Sequence, residues 1–170
     1  MRHKNLFIGV LLLICGFFTS CEMEDPDVEL TSVKQAAGQW NVTYKVETSP
    51  GVFEDIFHAG YTHLSTYNTA ANTGEQIWVD DEGNFWDYKV KASFDPSNLT
   101  LSGSELENTS YESKVTITDG KIILGEGRSK TGVQTDSIYF RVSFDDDEEP
   151  YGTIYHVSGH RVTGFVEDEF

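Results

Sequence analysis

From residue 40 onward, apolar and polar residues alternate with a period of two. Trp40, Val42, Tyr44 and Val46 alternate with polar neighbours. Trp86, Tyr88, Val90, Ala92 and Phe94 do the same against Asp87, Lys89, Lys91 and Ser93, and so do Ile138, Phe140, Val142 and Phe144. Successive side chains of a strand point to opposite faces, so this pattern predicts strands with one face buried. Turn residues punctuate it. Asn72-Thr73-Gly74 and Glu82-Gly83-Asn84 bracket a strand over Gln76 to Asp80, and Asp95 to Asn98 ends a long strand that begins near Phe85. Asp119-Gly120 predicts a two-residue hairpin between Val115–Ile117 and Ile122–Leu124. Gly125 to Gly132 and Asp145 to Pro150 read as loops, and a last strand runs from Thr153 to Phe165 with a bend at Gly159. A helical turn or two fits only residues 30–37. The expected fold is all-β: one antiparallel meander of about eight to ten strands over residues 33–170, closed into a barrel so that no edge stays exposed.

The first 21 residues carry a different pattern. Arg2, His3 and Lys4 form a basic start, Leu6 to Phe18 is almost wholly apolar, and Thr19-Ser20-Cys21 follows. The 13-residue apolar run falls short of the roughly 20 residues needed to span a bilayer. A basic head, a short apolar run and small residues describe a secretory signal over residues 1–20. Cys21 after those small residues resembles a bacterial lipobox, which implies a Cys21 acylated with palmitate-type chains and an outer-membrane lipoprotein. Residues 21–32 then read as an acidic tether. Glu22, Glu24, Asp25 and Asp27 resemble the surface-export signal of Bacteroidetes lipoproteins, which implies display on the cell exterior.

Composition narrows the function classes. The chain has 12 Lys plus Arg against 28 Asp plus Glu, a net charge of −16. Loss of residues 1–20 removes Arg2 and Lys4 and no acid, which moves the charge to −18. Such an excess repels phosphate backbones, so nucleic acid is not an expected partner. Cys15 lies in the signal and Cys21 is consumed by lipid, so neither a disulfide framework nor a cysteine metal site is expected. About 150 residues suffice for one domain with a sizeable core.

Gly38-Gln39-Trp40 opens the first strand after the short helical segment. It resembles the Gly-x-Trp element of the calycin barrels, the lipocalins, fatty-acid-binding proteins and avidins. The resemblance implies that Trp40 plugs the closed end of the barrel and that a basic residue of the last strand, Arg161, lies across its indole ring. A guanidinium stacked on indole gains cation–π energy and keeps its donors for backbone carbonyls.

Longer stretches carry a more specific resemblance. They are Tyr61 to Asn72, Asn84 to Lys91, Thr135 to Phe140 and Ser158 to Glu169. Over Gly38 to the end the chain is similar to a Bacteroidetes lipoprotein family described as lipid-binding putative hydrolases. That implies a calycin-like barrel with an apolar ligand. The hydrolase label brings no catalytic motif that maps onto these residues.

A direct search for chemistry agrees with a binding role. There is no Gly-x-Ser-x-Gly elbow, no His-Glu-x-x-His and no phosphate loop. His156 and His160 share a strand face but stand about 13 Å apart, too far for one metal unless the bend at Gly159 intervenes. Ser158 and His160 share a face without a third group to orient them. The acids at 145–149 and at Asp80, Asp81 and Glu82 read as solvated hairpin tips. Asp136-Ser137-Ile138 resembles the O-glycosylation motif of Bacteroidetes exported proteins. Neither a catalytic residue, a metal site nor a cofactor is expected.

Aromatic residues make up 13% of the chain. Tyr44, Trp86, Tyr88 and Phe140 sit on inward faces, where they either line an apolar ligand cavity or simply fill the core. Tyr67, Trp78 and Phe85, on outer faces or rims, are placed to stack on sugar rings. The expected function is a surface lipoprotein whose barrel binds a small apolar ligand without catalysis. A carbohydrate-binding accessory protein and a hydrolase are the alternatives.

Overall fold

The alternating segments form nine strands. The computed structural model describes residues 30–147 and 154–170; the expected signal, Cys21 and the tether up to residue 29 lie outside the described residues. The strands are β1 (Gly38–Ser49), β2 (Val52–Glu54), β3 (Thr62–Asn68), β4 (Gln76–Asp80), β5 (Lys89–Asp95), β6 (Thr100–Glu107), β7 (Lys114–Arg128), β8 (Gln134–Phe144) and β9 (Tyr155–Arg161). They pair antiparallel in the order β2-β1-β3-β4-β5-β6-β7-β8-β9, and β1 also pairs with β9. Eight strands therefore close on themselves, and β2 folds back on the far end of β1 as an extra hairpin arm. The closing seam runs from Trp40 opposite Arg161 to Val46 opposite Tyr155.

The inward positions are those the period of two marks. Val42, Leu64, Ile77, Val79, Val90, Ala92, Val115 and Ile117 are all completely buried. Each large aliphatic removed from water contributes about 1.5–3 kcal/mol, which is what holds a domain without disulfides. Residues 31–37 wind through one short turn, closed by Val33 accepting from the amides of Ala36 and Ala37. Val33 and Ala36 drop into the core from it.

Four expectations of local structure are corrected. Asp119-Gly120 does not end a strand: β7 runs through it, and the pairing with β8 skips between Thr118 and Lys121. Asp119 has φ of +54° and Gly120 lies so close to β6 that a Cβ would sit 2.3 Å from the Leu101 carbonyl oxygen. An Asp-Gly pair suits a left-handed bulge as well as a hairpin turn, and here a neighbouring strand fixes the choice. The glycine-rich segment after Leu124 likewise continues β7 to Arg128, with a second skip between Ile123 and Gly127. The strand expected from Phe85 begins only at Lys89. Trp86 and Tyr88 keep the alternation while belonging to a folded loop. The last strand, expected over Thr153 to Phe165, spans Tyr155–Arg161, after which the chain turns through a 3-10 segment at Val166–Asp168.

Candidate functional site

The base of the barrel is built from β1, β3, β9 and the turn before β1. Arg161 Cζ lies 4.3 Å from the Trp40 ring centroid. Its three nitrogens are all engaged: Nε donates to Asp136 Oδ2 at 2.9 Å, and the two terminal nitrogens donate to the carbonyls of Ala37 and Gln35. Asp136 accepts from the Gly125 amide with its other oxygen. Trp40 Nε1 donates to Thr66 Oγ1 at 2.8 Å, and Thr66 donates on to the Ala36 carbonyl. Gly38 is glycine for a steric reason: a Cβ there would stand 2.0 Å from an Arg161 nitrogen. These contacts tie the first residues of the barrel to its last strand and close this end to solvent.

The opposite end is organised by one carboxylate. Asp81, fully buried, follows β4 directly. Its Oδ1 accepts the amides of Gly83 and Tyr88 at 3.0 Å, and its Oδ2 accepts those of Phe85 at 3.0 Å and Trp86 at 2.8 Å. The segment between β4 and β5 therefore folds around the Asp81 side chain. The solvated tip expected for Asp80 to Glu82 is thus corrected at Asp81. An Asp two residues before a Gly is the Asx-turn signal that marks this position in the sequence.

This loop sets three aromatic rings over the barrel. Phe85 stacks on Tyr44 with centroids 3.9 Å apart and planes 8° from parallel. Trp86 stacks on Phe144 at 4.9 Å, and its Nε1 donates to Asp146 Oδ1 at 3.2 Å. The hydroxyls of Tyr88 and Tyr44 meet at 3.0 Å inside the core. Phe57, from the segment after β2, meets Phe85 edge-on at 5.7 Å. Tyr155 completes the cluster against Phe85 and Trp86. A largely apolar pocket of about 230 Å³ opens between Phe57, Ala59, Asn84, Phe85 and Trp86.

The residues expected to face a ligand are thus placed as follows. Tyr44, Trp86 and Tyr88 come together at this mouth. Phe140 is fully buried, level with Tyr44 because both pair with Val157 on opposite sides of β9. Beneath the mouth the barrel interior is filled by its own side chains. Phe85, expected as an outer-face or rim aromatic, lies inward over Tyr44. Tyr67 and Trp78 do face outward, where Lys89 lies over both rings and Lys91 over Trp78. The sequence reading missed Phe57, Phe144 and Tyr155 as mouth residues, because two of them sit on segments with no mark of function.

Burial pushes both Tyr44 and Tyr88 far up from the usual phenol range, with the Asp81 charge adding to the effect. Both phenols therefore stay protonated and serve each other as donor and acceptor. Of the described histidines, His58 is exposed between Phe57 and Ala59, which line the pocket, and the other three lie elsewhere. His63 is exposed, His156 bonds Tyr139 OH through Nδ1 at 2.8 Å, and His160 is buried on the outer wall. Among the described residues no group of three His, Cys, Asp or Glu is placed to hold a metal. What the mouth can do chemically is cover an apolar molecule with aromatic rings.

No curated protein matches the chain at a significant level. A family model described as lipid-binding putative hydrolase matches residues 25–166, and the barrel fits a calycin-like fold. The chain belongs to that lipid-binding family.

Proposed function

We propose that this protein is a lipoprotein of the outer cell envelope that holds a small apolar, lipid-like ligand at the aromatic mouth of its barrel, without catalysing a reaction on it. The observation that carries this reading is the mouth itself: an apolar pocket of about 230 Å³ between Phe57 and Trp86, rimmed by rings that one buried carboxylate positions. Family membership supports a lipid-binding role. Ligand pockets commonly measure about 300–1,000 Å³, so the pocket suits one end of an alkyl chain. Deeper entry requires Phe85 to swing off Tyr44, and the Asp81-centred loop is the element that carries it. Protonated, mutually bonded Tyr44 and Tyr88 offer no base, which supports binding rather than chemistry.

The sequence before residue 30 supports the address: acylation at Cys21, an acidic tether, and display on the cell surface. Titration of the protein with a fluorescent fatty-acid probe tests the binding role. Saturable binding that quenches Trp86 is expected. Absence of saturable binding would reject the lipid reading.

A further inference from the structure

The outer wall of the barrel carries a groove that the mouth does not use. Outward side chains on β1, β9 and β8 are aligned by register. Thr43 pairs with Ser158, Lys45 with His156, and Ser137 with His160. Two pockets of about 230 and 350 Å³ share Lys45 and Ser158, so they form one continuous groove across these strands. Phe53 lines one pocket and Tyr61 the other, each 44% exposed. Phe53 stands edge-on to His156 at 4.7 Å, and Tyr61 stands edge-on to His160 at 5.7 Å. His156 and His160 are four residues apart, so the groove runs about 13 Å along the strand. That length suits a few sugar rings.

Two features set this wall apart from an ordinary solvated face. His160 lines the larger pocket, is 4% exposed, and its Nε2 has no hydrogen-bond partner among the described residues. Buried polar atoms are normally satisfied, so this one marks the wall as unusual, although it lies too deep for a ligand in the groove to touch. Lys45 and Arg128 also line the groove, and neither makes an ion pair among the described residues, although the chain has 28 acids to 12 bases. Glu126 is the one carboxylate in the lining.

We propose that this groove binds an acidic oligosaccharide, one whose sugar rings carry carboxylates. Lys45 and Arg128 meet the carboxylates with charge-assisted hydrogen bonds. Ser137, Ser158 and Glu126 meet ring hydroxyls. Phe53 and Tyr61 cover the apolar faces of the rings. The site is separate from the aromatic mouth, so the protein holds two ligands of different chemistry.

The test is calorimetric titration of the full chain with trigalacturonate, with maltotriose as the neutral probe. Saturable trigalacturonate binding that weakens with salt is expected, and Lys45→Gln and Arg128→Gln each lower its affinity by about tenfold or more. Both positions are on the outer wall, and an unchanged circular dichroism spectrum establishes that each variant is folded. Fatty-acid-probe binding by the same variants stays as in the wild type, so failure of the mouth reading and failure of this one give different results. No saturable trigalacturonate binding, equal binding by wild type and both variants, or maltotriose binding as tight as trigalacturonate would each overturn the proposal.

Discussion

Phe85 lies flat on Tyr44, centroids 3.9 Å apart, so the ring that roofs the barrel interior belongs to a loop rather than to a strand. A loop ring can leave without breaking the sheet. Phe85→Ala is therefore expected to open the mouth. Truncating a half-buried phenylalanine costs about 1–3 kcal/mol of stability. The fatty-acid probe is expected to associate faster with the variant than with the wild type. Stopped-flow fluorescence measures this, and an unchanged association rate would remove Phe85 from the entry path.

Asp81 is expected to matter more to stability than any other loop residue. Four amides point at its carboxylate. Asp81→Ala leaves those donors unsatisfied and is expected to cost about 3 kcal/mol or more, while Asp81→Asn keeps one oxygen and costs less. Urea unfolding ranks the two. Equal stability of Asp81→Ala and the wild type would mean that the loop is not built on this side chain.

At the base, Arg161→Ala is expected to lower stability by about 1–3 kcal/mol through loss of stacking on Trp40 and of its three hydrogen-bonding nitrogens. Arg161→Lys recovers part of this, because lysine restores charge but not the planar fork. Fatty-acid affinity stays unchanged in both, since the mouth is at the other end. A change in affinity without a change in melting temperature would contradict the assignment.

The C-terminal segment is expected to be acid-labile. Asp168 is buried and accepts from the Thr163 hydroxyl at 2.6 Å and the Thr131 amide at 2.8 Å, bonds that hold its carboxyl well below the usual carboxylate range. A depressed carboxyl pKa stabilises the fold above the unfolded value of about 3.9 and loses that contribution as pH falls below it. His160, beside Phe170 and Tyr61, is lowered by burial, so the fold also weakens as pH falls through about 6.5, where the unfolded imidazole takes up its proton. Melting temperature against pH should show both slopes. Asp168→Asn should flatten the lower one and steepen the upper one, because the Asp168 charge opposes the effect of burial on His160.

Cys21→Ala is expected to release the protein from the membrane fraction of cells. Retention at the wild-type level would exclude the lipid anchor. On intact cells expressing the wild type, external protease is expected to digest the barrel, and full protection would place it on the inner side of the outer membrane.

The barrel was legible in the sequence because a period of two has one meaning wherever a face is buried, from Trp40 to Val46 and from Ile138 to Phe144. Gly38-Gln39-Trp40 and Arg161 were legible as a pair because they resemble the Gly-x-Trp element and last-strand basic residue of the calycin barrels, and the β1–β9 seam sets Trp40 opposite Arg161. The errors share one cause. Asp119-Gly120 and the glycines after Leu124 satisfy bulges and turns equally, and only the neighbouring strand decides between them. Trp86 and Tyr88 alternate as strand residues do, yet the four-amide grip of Asp81 overrides that preference. Phe57 and Tyr155 reach the mouth from distant segments, and no local pattern announces such a meeting.

The seam between β1 and β9 also fixes the order of events in the life of the chain. The first strand pairs early with β3, but its other edge has no partner until the last strand has emerged, so closure waits for almost the whole sequence. Contacts of such long separation fold slowly. Until β9 arrives, β1 and β8 both present open edges, and truncation before Tyr155 would leave them open permanently, turning a closed barrel into a template for aggregation.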